Sequence, residues 1–208
     1  MALDLEEQEQ LDELKMMWKK YGNMIANAVL AVVLVYVGVQ AWKWYQGKQA
    51  TEASAIYQTL ITTDKTKLKE VQSLSAKLIE SYGSTPYAGR AAVYAAQANH
   101  ESNDAKSAKA QLEWALRNAK ENAVQSVAGL QLANILLDEK DYDAALKILN
   151  STKLTGFEGL KADLKGDVYV AQGKISEAKK AYAEALRSLD TEGAYRQLTQ
   201  QKLEALGA

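Results

Sequence analysis

The sequence predicts an all-α protein: one transmembrane helix followed by an α-solenoid of short antiparallel helix pairs. Three observations carry this. Residues 24–42, MIANAVLAVVLVYVGVQAW, hold no charged side chain. Beyond residue 45 no stretch alternates apolar and polar residues as a half-buried strand would. Apolar residues return at intervals of three and four instead. Finally, Ala108, Ala145 and Ala178 recur at spacings of 37 and 33 residues, close to the ~34-residue period of a helix-pair repeat.

Composition sets the outer bounds. A chain of 208 residues has room for one domain and an appendage. One proline and one phenylalanine suit long helices and short loops better than a many-turned β fold. There is no cysteine, so disulfides and thiolate metal sites are excluded. A net charge of −1 argues against nucleic acid as a partner, because polyphosphate binding needs a basic face. The charge is uneven. Residues 1–23 carry Asp4, Glu6, Glu7, Glu9, Asp12 and Glu13 against Lys15, Lys19 and Lys20, a net of −3. The remainder is +2.

The uncharged run comes first among the elements. Its 19 residues would span roughly 28 Å as a helix, against a bilayer core of about 30 Å. The polar members Asn27 and Gln40 lie near its ends. Trp18 and Tyr21 flank one end, and Trp42, Trp44 and Tyr45 the other. Rings at both ends form the interfacial belt of a spanning helix, and Lys43 and Lys48 are placed to snorkel outward. A buried core helix needs no such belts. A cleaved signal peptide is disfavoured by the length of the run, the acidic segment before it and the lack of a small-residue cleavage site after it. The run reads as an uncleaved signal anchor. Three lysines before it and two after favour an inside N-terminus and an outside C-terminus. The expected division is a short acidic cytoplasmic tail (1–23), a transmembrane helix with its interfacial flank (24–45) and a repeat domain (46–208).

The repeat domain is punctuated at Thr63-Asp64, Ser84-Thr85-Pro86, Ser102-Asn103-Asp104, Lys140-Asp141 and Gly173-Lys174. Residues 166–186 show the tetratricopeptide spacing in full. Gly166 lets two helices approach, with Ala178 as its expected small partner and Tyr169 beside it. Gly173 supplies the left-handed residue that ends the first helix. Tyr182 and Ala185 are expected to pack against the next pair. One further copy is Ala133, Leu136, Ala145 and Leu149; another is Ala96, Ala108, Leu112, Ala115 and Leu116. Ahead lies a pair at 49–62 and 66–82, its first helix either separate or an outward continuation of the span. Behind, residues 192–206 read as a terminal helix presenting Tyr195, Leu198, Leu203 and Leu206 to the stack, as a solenoid cap does.

Little of the chain points to reactive chemistry. His100 is the single histidine, too little for a usual zinc site. The acid pairs Asp138/Glu139, Asp141/Asp143 and Asp163/Asp167 fall on helices or helix starts, where carboxylates favour the helix dipole. No phosphate-binding glycine loop, dinucleotide fingerprint, nucleophile elbow or zinc-protease helix is present. The expectation is a protein that is not an enzyme and uses no cofactor or metal. Tyr169 and Tyr182 sit at repeat-core positions, so packing is their expected use. Trp114 has two open placements: an inter-repeat seam, or an exposed partner contact.

A tetratricopeptide array curls so that the first helices of its pairs line a concave groove. That register points Val93, Gln97 and His100, then Leu130, Asn134 and Leu137, then Asp163, Asp167 and Val170 into the groove. Apolar spots with polar rims suit an extended segment or a helix of a partner. The basic clamp used for acidic C-terminal peptides is missing.

The chain also resembles a known family. It has a short acidic N-terminus, a lone span ending in Trp42-Lys43-Trp44-Tyr45, and the block 157–167, FEGLKADLKGD. These features are similar to the YfgM-type ancillary subunit of the bacterial Sec translocon across essentially the whole chain. The resemblance implies an inner-membrane, single-pass type II protein whose repeat domain faces the periplasm. It implies the SecYEG translocon, a membrane-anchored prolyl-isomerase-like chaperone (PpiD type) and client polypeptides as partners. The implied role is passing translocated chains to periplasmic chaperones. The alternative is a scaffold for another envelope complex, in outer-membrane protein assembly, division or stress signalling.

Overall fold

A computed structural model describes residues 5–151, 156–190 and 193–207. Asp4 of the acidic tail, Glu192 at the expected start of the terminal helix, and Ala208 lie outside the described residues. The described residues form helices and no strand. Two compact units divide the chain, residues 1–48 and 49–208.

The first unit is helical from Leu5, within α1 (Leu5–Thr62). Every residue of 24–42 is exposed, so this face gains nothing from burial in the chain itself. Among the described residues, one helix is long and apolar enough to cross a membrane, with a window of mean hydropathy 2.1 and none of it buried. At one flank Lys20 lies 5.1 Å from the Tyr21 ring centre. At the other, Lys48 lies 5.8 Å from the Trp44 ring, and Trp42 and Tyr45 stand 6.1 Å apart. Gln40 Nε2 donates to Tyr36 Oη at 3.2 Å, which satisfies a polar tip within the helix.

The second unit holds the rest of α1, then α2 (Leu68–Tyr82), α3 (Pro86–Glu101), α4 (Ala105–Asn118), α5 (Asn122–Asp138), α6 (Tyr142–Ser151), α7 (Glu158–Ala171), α8 (Ile175–Ser188) and α9 (Ala194–Ala205). Helices from α2 onward pack on their neighbours in sequence, and α3, α5 and α7 also pack side by side. The α3, α5 and α7 first helices therefore make one layer of a solenoid.

One backbone device generates the repeat. Asn103, Lys140 and Gly173 all adopt the left-handed conformation, with φ of 62°, 64° and 73°. The next N–H in each case reaches back to a carbonyl one turn inside the helix: Asp104 to Asn99, Asp141 to Leu136 and Lys174 to Tyr169, each at 2.8 Å. This closes the orphan carbonyls of the helix end. Asp104 and Asp141 then accept from the backbone N–H of Ser107 (3.0 Å) and Ala144 (3.2 Å), capping the next helix. The expected breaks all fall at helix ends. A further turn at Ala119–Glu121 separates α4 from α5 without glycine or proline. The helix expected from 66 begins at Leu68, because the Asp64 carboxylate holds Thr66 through its N–H and hydroxyl, both at 2.9 Å.

The recurring alanines Ala108, Ala145 and Ala178 are wholly buried, as are Ala133 and Leu149. Two placements differ from expectation. A Cβ at Gly166 would lie 2.3 Å from Tyr182 Cε1, so the close approach is to Tyr182 and not to Ala178. Tyr182 thus packs across its own pair, and Lys202 of α9 stands 5.7 Å from its ring centre. In α9, Tyr195 and Leu198 are exposed instead of facing the stack, and Thr199 is the residue buried there. Trp114 is half-buried against the core, its ring edge 3.9 Å from where a Cβ on Gly83 would stand. The seam is its placement.

Candidate functional site: the concave groove

Three clefts open along the layer of first helices. The first, of about 300 Å³, is lined by Tyr57, Arg90, Val93, Tyr94, Gln97, Ala123, Val124 and Val127. The second, of about 240 Å³, is lined by Ala96, Gln97, His100, Leu112, Gln131, Asn134, Ile135 and Asp138. The third, of about 410 Å³, involves α5, α7 and α9 through Val127, Leu130, Gln131, Asn134, Phe157, Leu160, Asp163, Leu164, Asp167, Tyr195, Leu198 and Lys202. Gln97 is common to the first and second; Gln131 and Asn134 are common to the second and third; Val127 joins the first to the third. The clefts adjoin one another along this layer and share these wall residues.

Most of the charged side chains in this groove are paired within the chain, exposed Asp138 excepted. Arg90 meets Glu121 through two hydrogen bonds, Nε to Oε2 at 2.7 Å and Nη2 to Oε1 at 2.6 Å. That bidentate contact holds the Glu121 carboxyl below its ordinary range. Lys202 Nζ stands 2.7 Å from Asp163 Oδ2 and 2.8 Å from Asp167 Oδ2. Thr199 Oγ1 sits 2.8 Å from Asp163 Oδ1, and Tyr182 Oη donates to Asp167 Oδ1 at 2.8 Å. Burial opposes the charge on Lys202, but hydrogen bonds to two carboxylates outweigh it and raise its pKa. Burial, then the hydrogen bond to Asp167, pushes the Tyr182 phenol well above its ordinary value.

Seven of the expected groove residues line these clefts: Val93, Gln97, His100, Leu130, Asn134, Asp163 and Asp167. Leu137 packs half-buried against the core and Val170 is exposed; neither lines the three clefts. Arg90, Val127 and Leu160 line them and escaped the sequence reading. Each stands three residues before a recognised position (Val93, Leu130 and Asp163), so extending the register one turn towards the helix N-termini would have found them. Tyr195, Leu198 and Lys202 also escaped, because α9 reads as a cap with its apolar residues turned inward. Among the described residues no group of three or more His, Asp or Glu is placed to hold a metal ion. Apolar side chains, side-chain amides and paired charges equip the groove to bind.

The family model described as a tetratricopeptide repeat-like domain matches residues 15–208. Among curated proteins, the "Ancillary SecYEG translocon subunit" of Neisseria gonorrhoeae is 33% identical over 208 residues, covering 99% of this chain and all of the relative. The protein of that name from Haemophilus influenzae is 30% identical, over 90% of this chain and 92% of its own. The one from Escherichia coli is 27% identical, over 96% of each. No solved structure matches. The chain belongs to this tetratricopeptide repeat-like family, among whose members are these ancillary translocon subunits.

Proposed function

We propose that this chain, like the relatives named for it, is an ancillary subunit of the SecYEG translocon, and that its concave groove receives polypeptide there. The observation that carries the reading is the groove itself. It runs along three first helices, and its lining combines apolar side chains with the amides of Gln97, Gln131 and Asn134. In the same chain, residues 24–42 stay wholly exposed and need an apolar medium. The proposed placement is a single-pass type II protein of the inner membrane: tail 1–23 in the cytoplasm, span 24–45, and domain 46–208 in the periplasm. A groove at the exit of the channel meets chains before they fold. Passing them to a PpiD-type periplasmic chaperone would then follow from proximity and weak binding.

The test is photo-crosslinking in living cells from Val127 and Gln131 in the groove, with Lys147 and Lys180 on the second-helix layer as controls. Adducts with translocon subunits, chaperone or emerging chains are expected from the groove positions. Adducts confined to Lys147 and Lys180 would place binding on the other face. A reporter active only outside the cytoplasm, fused after residue 208, is expected to be active; an inactive fusion of a stable protein reverses the orientation.

A further inference from the structure

We propose that the groove takes its ligand as an extended, uncharged stretch of chain, held through the ligand's main chain by Gln97, Gln131 and Asn134, with apolar side chains seated in the clefts on either side. This rests on the reading of the groove as the polypeptide site and names what kind of polypeptide fits.

Charge comes first. Arg90 is taken by Glu121, and Asp163 and Asp167 by Lys202; among the charged side chains lining the clefts, exposed Asp138 alone has no ion pair among the described residues. An acidic segment would have to displace one of these pairs or lie beside Asp138, and a basic one finds a free partner only in exposed Asp138, where a solvent-screened pair contributes little. A neutral segment meets no such penalty.

The amides come next. Gln131 and Asn134 are three residues apart on α5, so they share a face. Both line the second cleft, and neither side chain makes a hydrogen bond among the described residues. Gln97, on α3, joins them there and spends its amide only on Glu101 of its own helix, at 3.0 Å. A side-chain amide offers two donor hydrogens and an acceptor oxygen on one plane. That is the complement of a peptide group, which carries one donor and one acceptor. A helical ligand has these groups consumed internally. An extended ligand presents them at every residue, while its side chains alternate in direction along the strand. Amides that pair with main chain do not read side chains, so recognition at the centre is independent of sequence.

Selectivity for apolar residues then comes from the flanks. On one side Tyr57, Tyr94 and Val124 wall the first cleft. On the other, Phe157, Leu160 and Leu198 wall the third and largest. A segment emerging unfolded, with apolar residues spaced along a neutral stretch, fits both.

The experiment uses the full chain in lipid nanodiscs. The probe is a short fluorescein-labelled peptide alternating valine with threonine, titrated by fluorescence anisotropy beside two relatives of the same composition: one N-methylated at its central peptide groups, one locked as a helix by a hydrocarbon staple. Three proteins are compared: the natural chain, the triple variant Gln97→Ala/Gln131→Ala/Asn134→Ala, and Val127→Glu/Leu160→Glu. Thermal melts confirm that each is folded, and the alanines replace partly or fully exposed helix residues. The expected result is a loss of about tenfold or more on N-methylation, a similar loss in the triple variant, and no further loss when the two are combined. Equal binding of the stapled helix, or full affinity in the triple variant and for the N-methylated peptide, overturns the main-chain reading; if Val127→Glu/Leu160→Glu still abolishes binding, the groove remains the site. Binding that survives every variant sinks both readings. No binding by the natural chain, with groove crosslinks still forming in cells, sinks this inference alone.

Discussion

The second and third helix pairs solve the same packing problem with different residues. In α5–α6, Ala133 and Leu149 occupy the contact slots, both wholly buried. In α7–α8, Gly166 and Tyr182 stand in those slots, and the added ring fits only because the glycine has no Cβ. The groove faces diverge as well. The second pair offers Gln131 and Asn134, whose side chains make no hydrogen bond among the described residues. The third ties Asp163 and Asp167 to Lys202. The positions that recur set the solenoid, and those that differ decide what its face can hold.

The largest way to break that comparison is Gly166→Ala. A Cβ there meets the Tyr182 ring at 2.3 Å, and the ring is pinned by its hydrogen bond to Asp167. Overpacking of this kind costs about 3 kcal/mol at its upper range, or a fall in Tm of roughly 6–12 °C in a domain of this size. The double variant Gly166→Ala/Tyr182→Leu copies the second pair and should recover most of the loss, a strong departure from additivity. Calorimetry of the four proteins decides it. A silent Gly166→Ala would mean that the two slots are not coupled.

Next comes Lys202→Met. It removes the cation between two carboxylates whose side chains are 13% and 29% exposed. Stripping one partner from a wholly buried pair costs several kcal/mol; partial exposure brings the expectation to about 2 kcal/mol. The effect should be local, with faster hydrogen exchange in α9 and none in α3–α6. Uniform exchange throughout would show that α9 is no separate unit of stability.

A smaller effect follows from pH. Tyr182 and Lys202 both have pKa values raised above their ordinary 10.0 and 10.5. The fold therefore favours their protonated forms. Their contribution is complete below those ordinary values and lost as pH rises through the raised ones. Alkali should loosen the third pair and α9 before the second pair. Tyr182→Phe should cost about 1 kcal/mol at neutral pH and flatten the decline above about pH 10. Hydrogen exchange followed upward from neutral pH checks this. An unchanged alkaline limb would assign the decline elsewhere.

These differences explain what the sequence alone reveals. Gly173, the buried alanines and the bare span 24–42 depend on a residue's own type and spacing, so they are readable one helix at a time. The partner of Gly166 is not, since Ala178 and Tyr182 both lie on the facing helix and only side-chain direction chooses between them. The fate of Asp163 and Asp167 is less readable still. Their cation stands 39 and 35 residues away, on a helix whose short apolar pattern fits a cap equally well. Of the positions expected from the repeat register, Leu137 and Val170 miss the clefts, whereas Arg90, Val127 and Leu160, one turn earlier on the same periodicity, line them.

The finest test concerns the turn the two pairs share. Lys140 and Gly173 adopt nearly the same left-handed φ, 64° and 73°, yet only glycine does so without steric cost. The Lys140 side chain is exposed. A Cβ on Gly173 meets nothing within 4 Å. Exchanging the residues therefore changes backbone energetics and little else. Lys140→Gly should stabilise the domain by about 0.5–1 kcal/mol, the left-handed strain removed less the entropy that glycine adds to the unfolded chain. Gly173→Lys should destabilise it by about as much. Urea unfolding midpoints with unchanged slopes would establish both, since the slope reports any change in unfolded-state exposure. A Lys140→Gly variant less stable than the natural chain would mean that the lysine side chain outweighs its own strain. The turn of the second pair would then be held by its side chain, and that of the third by its backbone alone.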